Sequence, residues 1–253
     1  VRIHYLERGT PEPGRPSLLV APGVWESAER ALPILEAAGG HAAAVSFRGR
    51  GKSDTPRSGY DLEPHVEDLD AVARATRMER VCPLGFSRGV GYVLAWALEH
   101  PERVAGLILV DARARHSRPR EDFAESWERA VFRGRPIRDF IRLEALRGLQ
   151  AEAREVLFWD RLPELRVPVL LMQGTSRTVP PPSNLPDEGV ERYRAAWPDL
   201  RLLRFERSGH MLLDEEPEKY LAAVRDFLAD LRGGELSGRA SENGRRTGGT
   251  DGV

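Results

Sequence analysis

Cysteine is nearly absent from this chain of 253 residues, with Cys82 the only one. A single thiol closes no internal disulfide and builds no cysteine-rich metal site. Standing before Pro83 in an apolar run, it reads as an inert buried thiol. Lysine is almost as scarce: Lys52 and Lys219 are the only two, so the basic charge is nearly all arginine. Net charge is small as well, a formal −1 from 38 basic and 39 acidic residues. Without a basic excess, charge alone gives no reason to bind nucleic acid. No apolar run reaches the roughly 18 residues that span a bilayer, and no basic-then-apolar signal segment opens the chain. No two histidines have the spacing of a metal site. What is present, 41% hydrophobic and 30% charged residues, buries a core and keeps a surface wet. The expectation is a soluble cytoplasmic protein that needs neither metal nor cofactor and partners neither nucleic acid nor membrane.

Short runs of Val, Leu, Ile and Ala predict strands over residues 2–7, 18–21, 42–47, 80–84, 104–111, 167–173 and 200–205. Most lack the in–out alternation of a half-exposed strand, which suits a parallel sheet covered on both faces. Helical patterns fall between them at 28–38, 62–76, 89–100, 188–197 and 217–231. Strand–helix alternation predicts an α/β fold, a mostly parallel sheet flanked by helices. Residues 115–162 break the rhythm. They read as helical throughout, too short for a core of their own, and so as a lid inserted between core segments 1–114 and 163–232. From about Gly233 the chain turns to Gly, Ser, Arg and Thr, and 233–253 are expected to be disordered. Pro83 is unusual in a strand the pattern places centrally, because it removes a ladder donor.

The strongest local signal is Gly85-Phe86-Ser87-Arg88-Gly89, between an apolar strand and a helix. A serine there sits on a tight strand-to-helix turn that projects its hydroxyl from the sheet edge, beside amides suited to a developing oxyanion. The plainer reading is a helix N-cap. The short pattern is weak alone, and its context carries the weight. With that context the chain resembles the α/β-hydrolase superfamily from Val1 to Leu231. Leu18-Leu19-Val20-Ala21-Pro22-Gly23 is similar to the family's strand and His-Gly turn, with Pro22 where histidine is usual. Phe47-Arg48-Gly49-Arg50-Gly51-Lys52-Ser53-Asp54 resembles its Gly-x-Gly-x-Ser-Asp loop, and Val167-Pro168-Val169-Leu170 the strand before the acid loop. Ser208-Gly209-His210 with Glu215-Glu216-Pro217 resembles its histidine loop and final helix. Measured against the family, the chain opens inside the second strand, with an edge strand missing or never included.

The resemblance implies Ser87 as nucleophile, His210 as general base, and the backbone amides of Val24 and Arg88 as the oxyanion hole. The plainer reading of His210 is a loop histidine paired with a nearby carboxylate. His4, His41, His65, His100 and His116 sit in no matching loop. The family's acid is where the sequence departs. Counting from Gly174 reaches Arg177, and the loop 175–179 holds no carboxylate. Asp111, ending the strand Leu107-Ile108-Leu109-Val110, is the candidate acid, because strand ends on the carboxyl side face the site. Asp187, Glu188 and Asp214 are alternatives, and so is the absence of any acid. Arg88 is a second departure, either reaching an anionic substrate group or packing outward on an acidic helix. Trp25, Arg88 and Trp127 are the candidate pocket residues, while Phe132, Phe158 and Trp159 read as lid aromatics. The leading expectation is a serine hydrolase of a small carboxylic ester, lactone or thioester. The alternatives are a non-catalytic binding or signalling member, motivated by Arg177, Pro22 and Arg88, and a carbon–carbon hydrolase or acyltransferase on the same scaffold.

Overall fold

The computed structural model describes residues 1–132 and 134–234. Seven strands form one sheet: β1 (His4–Arg8), β2 (Ser17–Ala21), β3 (Ala42–Ser46), β4 (Val81–Phe86), β5 (Leu107–Val110), β6 (Val169–Gly174) and β7 (Arg201–Phe205). Their order is β1-β3-β2-β4-β5-β6-β7. Only β1 runs antiparallel, pairing β3 from His4↔Ser46 to Arg8↔Ala42 at one edge. The absent alternation has a direct cause. In β2, Leu19 and Ala21 point to one apolar layer, Leu18 and Val20 to the other. In β5, Leu107 and Leu109 oppose Ile108 and Val110 in the same way. Both faces are buried, so every position from Leu18 to Ala21 and from Leu107 to Val110 is apolar.

The first layer is covered by α2 (Leu62–Ala75), α3 (Gly89–Glu99) and α6 (Asp187–Ala196), the second by α1 (Leu32–Ala37), the short α7 (Leu212–Glu215) and α8 (Pro217–Gly233). Helix α3 is buried from Gly89 to Leu98, which explains its apolar character all round. Helix α8 instead buries a stripe, Tyr220, Val224, Phe227, Leu228 and Leu231, at helical spacing. It starts on Pro217 and is closed by Gly234 at φ +78°. Of residues 233–253, where the disordered tail is expected, Gly233 instead ends α8 and Gly234 caps it, and 235–253 lie outside the described residues.

Pro83 finds its reason in register. Ser87 N–H donates to Val110 O at 3.0 Å, so alternate residues back along β4 aim their nitrogens at β5. Pro83 is one of these, and pairing with β5 begins only at Leu84↔Ile108. The missing donor therefore falls in the gap between the isolated bridge Val81↔Val104 and the ladder that starts at Leu84.

Segment 115–162 is not helical throughout. It holds α4 (Phe123–Glu128) and α5 (Leu143–Glu152), but Arg115–His116 pairs antiparallel with Val156–Leu157 at its base. Val131–Phe132 pairs with Arg135–Pro136 in a small hairpin. Two-residue strands carry no periodicity, so nothing in the pattern announces them. Trp25, Trp127, Phe132 and Phe123 gather with Ile137, Ile141 and Leu146 in a third apolar cluster. Phe158 and Trp159 do not join it. They pack on the main core, Trp159 edge-on to Tyr193 at 4.9 Å.

The loop after β3 is held by a buried ion pair. Arg48 donates to Asp68 through Nε at 2.9 Å and Nη2 at 2.6 Å, and its other donors reach the carbonyls of Gly59 and Pro64. Removing one partner strands the other charge in the interior, so Asp68→Ala should cost about 3–5 kcal/mol in denaturant unfolding. Arg161→Ala, which breaks an exposed pair with Glu164, should cost less than about 1 kcal/mol. Equal losses would contradict this account of the loop.

Candidate active site

The parallel strands deliver their following loops to one edge of the sheet, where open α/β sheets bind ligands. The turn after β2 carries Val24 and Trp25, and the loop after β3 carries Arg50. Ser87 follows β4, Asp111 follows β5, the Gly174 loop follows β6 and His210 follows β7. Ser87 has φ +53°, a strained value for a residue with a side chain. The turn closes only because its flanks are bare. A Cβ on Gly89 would come within 2.2 Å of Ala21 O, and one on Gly85 within 2.7 Å of Gly89 O. That contact also brings the start of α3 against the turn bearing Val24.

His210 Nε2 lies 2.9 Å from Ser87 Oγ, and its Nδ1 lies 2.7 Å from Asp111 Oδ2. A carboxylate only accepts, so Nδ1 carries the proton and Nε2 offers its lone pair to the Ser87 hydroxyl. Asp111 is fully buried at φ +48° and takes four donors. Gly174 N–H and Ser183 Oγ–H reach Oδ1 at 2.9 and 2.6 Å, while Asn184 N–H reaches Oδ2 at 2.9 Å beside the imidazole. The buried charge is thereby hydrogen-bonded on both oxygens, as burial demands. Phe86 stacks on the His210 ring at 4.8 Å, and His210 N–H donates to Pro181 O at 2.7 Å. Glu215 accepts from Gly209 N–H at 2.8 Å and Glu216 from Ser208 Oγ–H at 2.7 Å, fixing the histidine loop from below. Burial raises the Glu215 carboxyl above its ordinary range.

The alternative acids lie elsewhere. Asp187 is exposed and accepts from Gln173 Nε2, Glu188 is exposed, and Asp214 pairs with Arg30. Arg177 is exposed on the loop after β6. Two contributors carry no motif that marks them in the sequence: Ser183 and Asn184, whose side-chain Nδ2 lies 3.0 Å from His210 Nε2. The amides of Val24 and Arg88 donate to no group among the described residues. The turn bearing Val24 is clamped from two sides. Glu26 accepts from Gly23 N–H at 3.0 Å, and the buried Arg50 donates through Nε to Val24 O at 3.0 Å. Arg88 packs on no acidic helix. Its Nε donates to the Tyr92 hydroxyl at 3.0 Å, and its fork faces Ser117 and His116. Trp25 and Trp127 pack together at 4.6 Å.

Two buried histidines lie under this edge. Burial, helped by Arg50, holds His65 well below its ordinary value. Burial, helped by Arg88, holds His116 down to about 3. Among the described residues no cluster of His, Cys, Asp and Glu is arranged to hold a metal ion, and no helix is long and apolar enough to cross a membrane.

The chain belongs to the alpha/beta hydrolase family, whose sequence profile matches residues 18–224. A Bacillus subtilis (strain 168) protein provisionally named 2-succinyl-6-hydroxy-2,4-cyclohexadiene-1-carboxylate synthase is 27% identical over 121 residues. That match spans 47% of this chain and 40% of the relative, less than half its length. The enol-lactonase from Burkholderia xenovorans LB400 superposes with a TM-score of 0.70 at 19% identity, covering 90% of this chain and 96% of that one. The esterase EaEST from Exiguobacterium antarcticum gives 0.66 at 24% identity, covering 90% and 95%. At these identities the likeness to both structures is one of fold. Hydrolysis is the activity class that the family supports.

The buried histidines set a pH dependence of stability. Unfolded histidine takes a proton near pH 6.5, whereas folded His116 resists until about 3. Between those values the unfolded chain binds more protons, so stability falls as pH falls, by up to about 1.4 kcal/mol per pH unit per group. Denaturant unfolding of wild type against His116→Gln should show the steeper loss below pH 6.5 in wild type. Parallel curves would contradict it.

Proposed function

We propose that this chain is a serine hydrolase that cleaves a small carboxylic ester, lactone or thioester through an acyl-enzyme on Ser87. The observation that carries the reading is the continuous relay from Ser87 Oγ through His210 to the buried Asp111. Ser87 Oγ attacks the carbonyl carbon while its proton passes to His210 Nε2. Asp111 holds the imidazole in the tautomer that accepts this proton and balances the imidazolium that forms. The carbonyl oxygen, now negative, takes the Val24 and Arg88 amides, whose orientation costs no reorganisation at that moment. His210 returns the proton to the leaving alcohol or thiol, and the same groups then activate water against the acyl-enzyme. No cofactor enters this chemistry, and it suits a protein at work in the cytoplasm.

The non-catalytic alternative draws on Arg177, Pro22 and Arg88. The hydrogen bond between His210 and Asp111 answers only the first, by supplying a carboxylate that the loop after β6 lacks. Carbon–carbon hydrolysis or acyl transfer on the same scaffold would use the same three residues.

A panel of short p-nitrophenyl esters should be turned over by wild type, with kcat falling at least about 10⁴-fold in Ser87→Ala. Asp111→Asn should lose about 10⁴-fold in turnover per folded molecule, because an amide donor leaves His210 in the wrong tautomer. A melting curve on the same sample separates that loss from unfolding. Near-normal turnover in either variant would overturn the proposal.

A further inference from the structure

Arg88 stands next to the nucleophile with no acid partner. Beyond its bond to the Tyr92 hydroxyl, Nη1 lies 3.4 Å from Ser117 Oγ and Nη2 lies 3.4 Å from His116 Nε2. The second contact is not a usable hydrogen bond. His116 Nε2 lies 3.1 Å from Asp61 Oδ1, which only accepts, so that nitrogen carries a proton and cannot receive another. The forked end of Arg88 therefore keeps open donors.

A second uncompensated cation lies behind it. Among the described residues Arg50, 1% exposed, bonds only to neutral groups: Val24 O, Arg48 O at 2.6 Å and His65 Nε2 at 3.0 Å. Its Nη2 has no partner. The two arginines are linked, because the His65 ring stacks on Tyr92 at 4.5 Å and Tyr92 receives Arg88 Nε. The neighbouring cations are balanced, Arg48 by Asp68, and Arg154 by Asp61 and Glu63. Among the described residues no carboxylate lies at ion-pairing distance from Arg50 or Arg88. Neither guanidinium thus has a carboxylate partner among the described residues, and the wholly buried one of Arg50 is a costly charge to hold unless an anion joins it.

We propose that the substrate carries a free carboxylate, and that Arg88 pairs with it through its fork while Arg50 adds attraction from behind. The substrate class is then the monoester or lactone of a dicarboxylic acid, with the second acid group on the acyl side. A planar guanidinium suits a carboxylate held in two parallel hydrogen bonds. The inference rests on the hydrolase reading above. The same charges could instead serve only the oxyanion, and then charged and neutral substrates would suffer alike when Arg88 is changed.

The test compares monomethyl glutarate with its neutral isostere, the methyl ester of glutaramic acid. Wild type should favour the acid in kcat/KM by about ten- to a hundred-fold, the range for a hydrogen bond to a charged group. Arg88→Gln should bring that ratio close to one, whatever happens to the absolute rates. An unchanged ratio overturns the proposal and leaves the hydrolase reading standing. A second measurement needs no turnover: calorimetric titration of Ser87→Ala with glutarate. Saturable binding is expected, at least about ten-fold weaker in Ser87→Ala/Arg88→Gln and weaker at high salt. Absent binding, or equal binding in both, overturns the proposal. Arg88-dependent binding of glutarate with no turnover of any ester would sink the hydrolase reading alone.

Discussion

A single buried carboxylate holds the site together. Asp111 accepts hydrogen bonds from Gly174 at the end of β6, from Ser183 and Asn184 on the following loop, and from His210 after β7. The loops after β5, β6 and β7 thus meet at one acceptor. The approach is close enough that a Cβ on Gly174 would come within 1.7 Å of Gly209 O, so these loops meet backbone to backbone. Under the proposed mechanism the arrangement also accounts for Arg177 at the loop position where the resemblance leads one to expect an acid. Strands β5 and β6 are neighbours, with Val110 opposite Met172, and adjacent strands are about 4.8 Å apart. Moving the acid from one strand end to the next shifts its origin by one strand, a distance one side chain spans. What the relay requires is a carboxylate at Nδ1, not a particular place in the sequence.

The oxyanion side depends on a different kind of anchor. Arg50 reaches the carbonyl of Val24, and its own backbone bridges to Ile141 in segment 115–162. Arg142 N–H donates to Gly49 O at 2.9 Å on the same seam, and Glu152 receives the amides of Gly59 and Tyr60. The turn that would hold an oxyanion, the cationic loop beneath it and the inserted segment are therefore mechanically joined. A buried arginine without an acid is an expensive way to build such a joint. Its unbalanced charge is better understood as serving the site than the fold.

Much of this was legible in the sequence because the physics was local or repetitive. Strands buried on both faces announce themselves as short apolar runs, and the structure places all seven within three residues of the expected bounds. Ser87 and His210 lie in loops whose neighbours resemble known motifs, and Asp111 was readable as an acid at a strand's carboxyl end. Contacts made by single side chains across the sheet edge left no pattern. Ser183 and Asn184 lie in an unremarkable loop, and nothing in composition or spacing ties them to residue 111. The two-residue strand pairs of 115–162 have no period, and the packing of Phe158 and Trp159 on the core depends on where α6 lies. Arg88 was visible as an oddity, but of its partners only Tyr92 is local, one turn along α3, and the adjacent His116 and Ser117 are brought beside it by the fold.

Under the proposed mechanism Ser87 is an activated nucleophile, its hydroxyl primed by His210 and Asp111. The most direct measurement is the rate of covalent labelling by a fluorophosphonate, read by intact mass and located by peptide mapping. The account predicts one label per chain at neutral pH, on Ser87, with the rate falling by orders of magnitude in His210→Ala and Asp111→Asn. An unlabelled chain, or a label carried equally by both variants, would contradict it.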